Sequence, residues 1–353
     1  MSEILVVNAG STSLKLHAVD EQEEAVALES FADAPAGVVA VAHRVVHGGA
    51  RFVDPVLIDA TVRQQISELI ALAPLHNAPA FAALEAAQKA LPDVPHIAVF
   101  DTAFHRTLAY EASVYPLPPR WREEWGIRRF GFHGLSVEWC AGRVPEIVGG
   151  PVARLVVCHL GGGSSVTAVV GGRSVDTTMG FTPLEGVPMT TRSGSIDPGA
   201  ILYVLRNHAL DADALDHELN FESGLKGLAG GSGEMRELER RVAEGDRAAG
   251  LALDVFVHRL AGAVAAMAAA AGGFDALAFT AGIGEHSALV RERLCGRLVF
   301  LGVEMDRREN AEAEPDCDVS VAGSAVRILV VRAREELVAA RAARRLLASG
   351  RHS

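Results

Sequence analysis

The stretch Ile4-Leu5-Val6-Val7-Asn8-Ala9-Gly10-Ser11-Thr12-Ser13-Leu14-Lys15 and its counterpart Leu155-Val156-Val157-Cys158-His159-Leu160-Gly161-Gly162-Gly163-Ser164-Ser165-Val166 decide the fold. Each reads as a strand, a turn of small residues and a second strand, and the two share a register of apolar positions. Glycine lets a backbone approach a ligand closely, and serine hydroxyls with successive turn N–H groups form an anion-binding nest. Two such hairpins in one chain point to two similar halves gripping one polyphosphate. Two ordinary hairpins are the plainer alternative.

Outward from these hairpins, β-branched runs at Val41–Val46, Ile97–Phe100, Leu277–Thr280 and Val326–Val331 alternate with Ala/Leu-rich stretches. The latter predict helices over Ala60–Leu72, Pro79–Ala90, Pro198–His208, Met235–Ala271 with a break near Gly245, Ser287–Gly296 and Arg334–Leu347. That alternation is α/β architecture. A chain of 353 residues has room for two domains. Its 33 basic against 44 acidic residues would repel a polyanion, so nucleic acid is not an expected partner. The four cysteines form no CxxC pair, which leaves reduced thiols and a cytoplasmic setting as the expectation. The apolar run Leu260–Phe274 falls short of a membrane span and predicts a core helix, so no membrane partner is expected.

Neither GxxxxGK[ST] nor a GxGxxG after a strand is present, so phosphate binding must come from the hairpins. Histidines and arginines gather in short islands: His43-Arg44-Val45-Val46-His47, Pro74-Leu75-His76, Phe100-Asp101, Gly131-Phe132-His133-Gly134 and Thr190-Thr191-Arg192. Most abut a strand end or a glycine, where clefts of open α/β sheets lie. Guanidinium forks match carboxylate and phosphate oxygens, and imidazole donates to an oxyanion, so the inventory suits a small phosphorylated or carboxylated substrate. His43 and His47 lack a third ligand for zinc nearby.

Taken in order, and with Asp176-Thr177-Thr178-Met179-Gly180-Phe181-Thr182-Pro183-Leu184-Glu185-Gly186 and Phe279-Thr280-Ala281-Gly282-Ile283-Gly284-Glu285, these islands resemble the acetate kinase family. That family of short-chain carboxylate kinases belongs to the actin-like ATPase superfamily. The resemblance runs over nearly the whole chain. It implies an α/β fold of two duplicated actin-like (ribonuclease H-like) domains with mixed sheets and an interdomain cleft. Residues 1–102 with 335–353 would form one domain and 103–334 the nucleotide-binding other. It also implies reversible, Mg²⁺- or Mn²⁺-dependent phosphoryl transfer from ATP to acetate, directly and in line, in a homodimer.

Residue by residue, the resemblance assigns Arg44, Asp101, His133 and Arg192 to catalysis, with His76 in support. It places Asn8 and Glu335 at the metal, and Val46, Leu75, Phe132 and Pro183, with Arg44, around the acid. Ser11, Ser13, Lys15, His159, Gly161 and Gly163 would line the phosphates, and Glu234, Arg236, Gly282, Ile283 and His286 the nucleoside. A carboxylate acceptor is already ionised at neutral pH, so Asp101 is expected to orient neighbours rather than remove a proton.

Several positions depart from the family pattern. Gly162 stands where asparagine is usual, and Leu135-Ser136-Val137 replaces Thr-Ser-His, which predicts the loss of polar groups beside the cleft. Glu234, Met235 and His286 replace the usual nucleoside-facing residues. Propionate or butyrate as acceptor, pyrophosphate as donor, and a non-catalytic actin-like nucleotide-binding regulator therefore stand as alternatives.

Overall fold

The computed structural model describes residues 2–9 and 14–350. Two six-stranded mixed sheets follow one another along the chain. The first comprises β1 (Glu3–Ala9), β2 (Leu14–Val19), β3 (Ala25–Leu28), β4 (Val38–Val45), β5 (Val56–Leu57) and β6 (His96–Phe100), in the order β3-β2-β1-β4-β6-β5. The second comprises β7 (Arg154–Leu160), β8 (Ser164–Val170), β9 (Arg173–Thr177), β10 (Ala276–Thr280), β11 (Cys317–Asp318) and β12 (Arg327–Val330), in the order β9-β8-β7-β10-β12-β11. The orders are the same. In each sheet an antiparallel meander of three strands leads to two parallel strands and an antiparallel edge. The weak sequence repeat is thus a duplication of a whole sheet.

Parallel central strands must be covered on both faces, and the period-two side-chain alternation shows how. Ile4 and Val6 face the C-terminal helix Glu335–Ala348, while Leu5 and Val7 face helix Pro74–Ala90. In the second sheet Val156, Cys158 and Leu160 face helix Arg247–Ala270, while Leu155 and Val157 face helix Gly134–Val148. Helix Arg247–Ala270 is long and apolar enough to cross a membrane by composition. It instead buries Leu253, Phe256 and Leu260 in this core.

The predicted helices are present, with the expected interruption between Ala243 and Arg247. Helix Pro74–Ala90 begins five residues earlier than predicted, because Pro74 serves as a first-turn residue and Pro79 does not stop the helix. Helix Gly134–Val148 had no sequence forecast. It starts without a side-chain cap, from His133 in the left-handed region (φ 58°), and contains Pro145, so only its end carries a usual signal, Gly149 in the left-handed region (φ 74°).

Candidate active site

The carboxyl ends of β1, β4 and β6 lie side by side: Asn8 pairs in register with Arg44, and Val45 with Phe100 just before Asp101. Arg44 therefore emerges between Asn8 and Asp101. Its Nε donates to both Asp101 carboxylate oxygens at 3.0 and 3.1 Å, and Nη2 donates to Oδ2 at 2.5 Å. Nη1 donates to Asn8 Oδ1 at 2.9 Å and pairs with Glu335 Oε2 at 3.1 Å, from the first turn of the C-terminal helix. Asn8 Nδ2 donates to the same Glu335 oxygen at 3.2 Å. One guanidinium thus serves two carboxylates, which leaves one Nη2 hydrogen uncommitted. Burial works against its charge, yet Asp101 and Glu335 outweigh it and raise the Arg44 pKa. Burial likewise opposes the Glu335 charge, and Arg44 holds that carboxylate below the usual range.

His133 caps the unforecast helix, and its left-handed backbone costs an ordinary residue about 1 kcal/mol or more. The constraint is local. Gly134 passes so close to Asp101 that a Cβ there would sit 2.0 Å from the Asp101 carbonyl oxygen, whose bond to the Gly134 N–H is 3.1 Å. His133 Nδ1 lies 3.0 Å from Ser165 Oγ, and its ring stacks on His159 with centroids 3.9 Å apart. His159 in turn is fixed through Nδ1 to Ser136 Oγ at 2.8 Å. Burial pushes His133 well below its ordinary pKa, and the charges of Arg44 and Arg192 add to this, so the ring is neutral. When Ser165 donates to Nδ1, Nε2 carries the hydrogen and is a donor.

Arg192 approaches from the second half of the chain. Its Nη2 donates to His76 Nε2 at 2.8 Å and its Nη1 to the Pro183 carbonyl at 3.4 Å. His76 can only accept in that bond. Its pKa is pushed down to about 3 by burial and by both arginines. Arg192 makes no ion pair among the described residues, so its buried charge faces neutral acceptors. A Cβ on Gly163 would lie 3.2 Å from His133 Nε2 and 3.5 Å from Arg192 Nη1. Glycine there leaves open the space that the imidazole and guanidinium share.

Under Arg192, Val46, Phe132, Met179 and Met189 form a buried apolar cluster, and the Met189 sulfur is 3.7 Å from Nη1. Pro183 is buried beside it and Leu75 half-buried next to His76 in the chain. The two methionines escaped the sequence reading because buried methionine is ordinary core filler. Ser136 and Ser165 escaped as partners of the histidines. Their signal was only their place in the quoted motifs.

The turn Gly161-Gly162-Gly163 lies beside Ala281, whose φ of 65° begins the short helix Ala281–His286 after β10. Gly282 and His286 are exposed there, as are Glu234 and Arg236 at the start of helix Met235–Ala243. The two segments are tied by Ser287 Oγ donating to Glu239. Lys15 is exposed on β2, opposite Asn8 in register, and Ser11 and Ser13 lie outside the described residues.

Three expectations need correction. The Ser164 hydroxyl donates to the Gly161 carbonyl and Ser165 is engaged with His133, so these side chains brace the turn rather than face a ligand. The Leu135 and Val137 side chains are buried in apolar clusters behind the site, so those departures remove no polar group from the cleft. Ile283 also points into the second core, so its side chain does not face a ligand.

The acetokinase family model matches residues 33–341. The chain is similar to acetate kinase of Nostoc punctiforme, 49% identical over 298 residues, covering 84% of this chain and 73% of that protein. It is 48% identical to acetate kinase of Microcystis aeruginosa over 308 residues, covering 87% and 77%. Among solved structures, a propionate kinase from Francisella tularensis matches with a TM-score of 0.89 and 34% identity over 97% of this chain and 99% of that one. Acetate kinase of Porphyromonas gingivalis matches with a TM-score of 0.87 and 32% identity over 98% and 100%.

Proposed function

The chain belongs to the acetokinase family and phosphorylates acetate with ATP, and we propose that it does so by direct in-line transfer between two charge clamps. The observation that carries this is the meeting of Arg44, His133 and Arg192 around one space, with Arg192 unpaired by any described carboxylate. Phosphoryl transfer spreads charge over three equatorial oxygens and asks the protein chiefly for positioning and electrostatic stabilisation. Arg192 and the Nε2–H of neutral His133 meet that charge. Asp101 aims Arg44 instead of acting as a base, because acetate arrives ionised. The cluster of Val46, Phe132, Met179 and Met189 receives the methyl group. His159, Gly161 and Gly163 line the phosphate path with Lys15, while Gly282, His286, Glu234 and Arg236 flank the nucleoside.

Asn8 and Glu335 fit a Mg²⁺ ion, since Asn8 Oδ1 and Glu335 Oε2 both converge on Arg44 Nη1, at 2.9 and 3.1 Å, and Mg²⁺ takes few protein oxygens beside phosphates and water. Bound there, it would neutralise phosphate charge. We divide the chain into 1–102 with 335–353 and 103–334, a reading supported by the C-terminal helix packing on the first sheet. The homodimer reading is supported by helix Pro198–Asn207, which has no buried residue and exposes Leu202, Tyr203 and Leu205. A cytoplasmic enzyme completes it.

A hydroxamate assay for acyl phosphate with acetate, Mg²⁺ and ATP tests the assignment. Arg192→Ala should lower kcat by roughly 10²–10³-fold while the fold persists. A variant within threefold of the parent would remove Arg192 from the mechanism.

A further inference from the structure

A cavity of about 1080 Å³ lies apart from the site just described. It opens where the β5–β6 edge meets the second half of the molecule. Its walls come from the three elements that present Asp101, His133 and Glu335. Phe100 and Ala103 flank Asp101, Leu135 follows His133 by two residues, and Ala342 and Leu346 lie on the helix that Glu335 begins. Arg173, at the start of β9, closes it from the second sheet. Nothing in the phosphoryl-transfer chemistry uses this space.

Its chemistry is two-sided. The floor of Val99, Phe100 and Leu135 is apolar and belongs to the cores. The rim carries three arginines and three carboxylates, and these are not equally committed. Asp54 is taken by Arg106 at 2.9 Å, Asp59 accepts from the Val62 N–H at the start of helix Ala60–Glu68, and Glu138 lies 3.7 Å from Arg345. Arg173 makes no ion pair among the described residues. Apolar depth under an uncommitted guanidinium is what a small amphipathic anion requires, and the volume is that of an ordinary ligand site.

We propose that this cavity binds a small amphipathic carboxylate, its chain on the Val99–Phe100–Leu135 floor and its head at Arg173. The occupant touches all three elements that carry Asp101, His133 and Glu335, so its presence alters their relative placement and with it turnover. The site itself goes beyond the kinase reading; only its effect on rate rests on that reading.

Isothermal calorimetry of the full chain with decanoate, and with decan-1-ol as the uncharged match, reads the binding directly. Saturable decanoate binding is expected, weakened about tenfold by loss of the anionic head in the alcohol and about fivefold in Arg173→Ala, as a lost charge-assisted hydrogen bond implies. Ser349→Trp, at the exposed mouth, should block it. In kinetics, saturating decanoate should change kcat about twofold or more without competing with acetate, since a slight misplacement of catalytic groups is costly. Absence of saturable heat, or equal affinity in Arg173→Ala and Ser349→Trp, overturns the site. Competition with acetate, or an unchanged kcat at saturation, overturns its link to catalysis. Loss of kinase activity with acetate would leave the heats unaffected, so the two readings fail separately.

Discussion

Lowering the pH from 8 to 5 should destabilise this protein steeply, and its buried histidines say by how much. His43, His47, His105 and His159 are each less than a tenth exposed. Burial holds His43 at about 3 and the other three at about 4. Hydrogen bonding explains why a second proton is refused. His96 Nε2 donates to the Leu91 carbonyl at 2.9 Å, so His96 Nδ1 accepts from His43 Nε2 at 2.9 Å, and His43 Nδ1 is left buried with no partner. His47 Nδ1 accepts from the Gly49 N–H at 2.9 Å, where a proton would oppose a donor.

The unfolded chain protonates all four near pH 6.5. Because the folded pKa values are depressed, their contribution is complete above about 6.5 and is lost as pH falls toward about 4. Linkage gives about 0.8 kcal/mol per histidine at pH 6 and about 2 kcal/mol at pH 5. The four together remove about 3 kcal/mol by pH 6 and about 8 kcal/mol by pH 5, against a typical total of ~5–15 kcal/mol. Urea titrations at pH 8, 7, 6 and 5.5 read this as a falling midpoint, before carboxylates begin to protonate. His43→Leu should remove about a quarter of the slope, one proton in four. A free energy of unfolding constant within about 1 kcal/mol between pH 8 and 6 would refute the neutral burial of these rings.

The remaining tests bear on the site. Transfer from ATP made chiral at the γ-phosphorus should invert configuration; retention would demand a phosphoenzyme. Gly163→Ala should lower kcat about tenfold by crowding His133 Nε2, whereas Gly162→Ala, which meets nothing within 4 Å, should leave it unchanged. In the same open position Gly162→Asn should tighten ATP about fivefold, one added hydrogen bond, as read by calorimetry. Arg291, fully buried, donates to the carbonyls of Gly284, Glu285 and Asn310 and holds the helix Ala281–His286. Arg291→Met should cost about 3 kcal/mol or more in thermal or urea unfolding, and a loss under about 1 kcal/mol would contradict its role as that helix's anchor.

Residue types and their order in the sequence determined the α/β alternation and the duplicated hairpin, which depend on local periodicity that neighbours in the chain carry. The choice of Arg44, Asp101, His133, Arg192 and Glu335 came from the resemblance of the ordered motifs to the acetate kinase family. The second sheet's repetition of the first was legible only as a faint repeat, because apolar positions in a strand are interchangeable so long as every second one faces the same helix. Tertiary structure alone decided that Arg44 is shared between Asp101 and Glu335, that His133 rests on His159 and Ser165, and that Arg192 has no described counter-ion. It also turned Leu135, Val137 and Ile283 inward. A side chain's charge state and direction are set by groups up to 327 residues away in the chain, as Asn8 is from Glu335, and burial, which sets the cost of each charge, exists only once both sheets have packed.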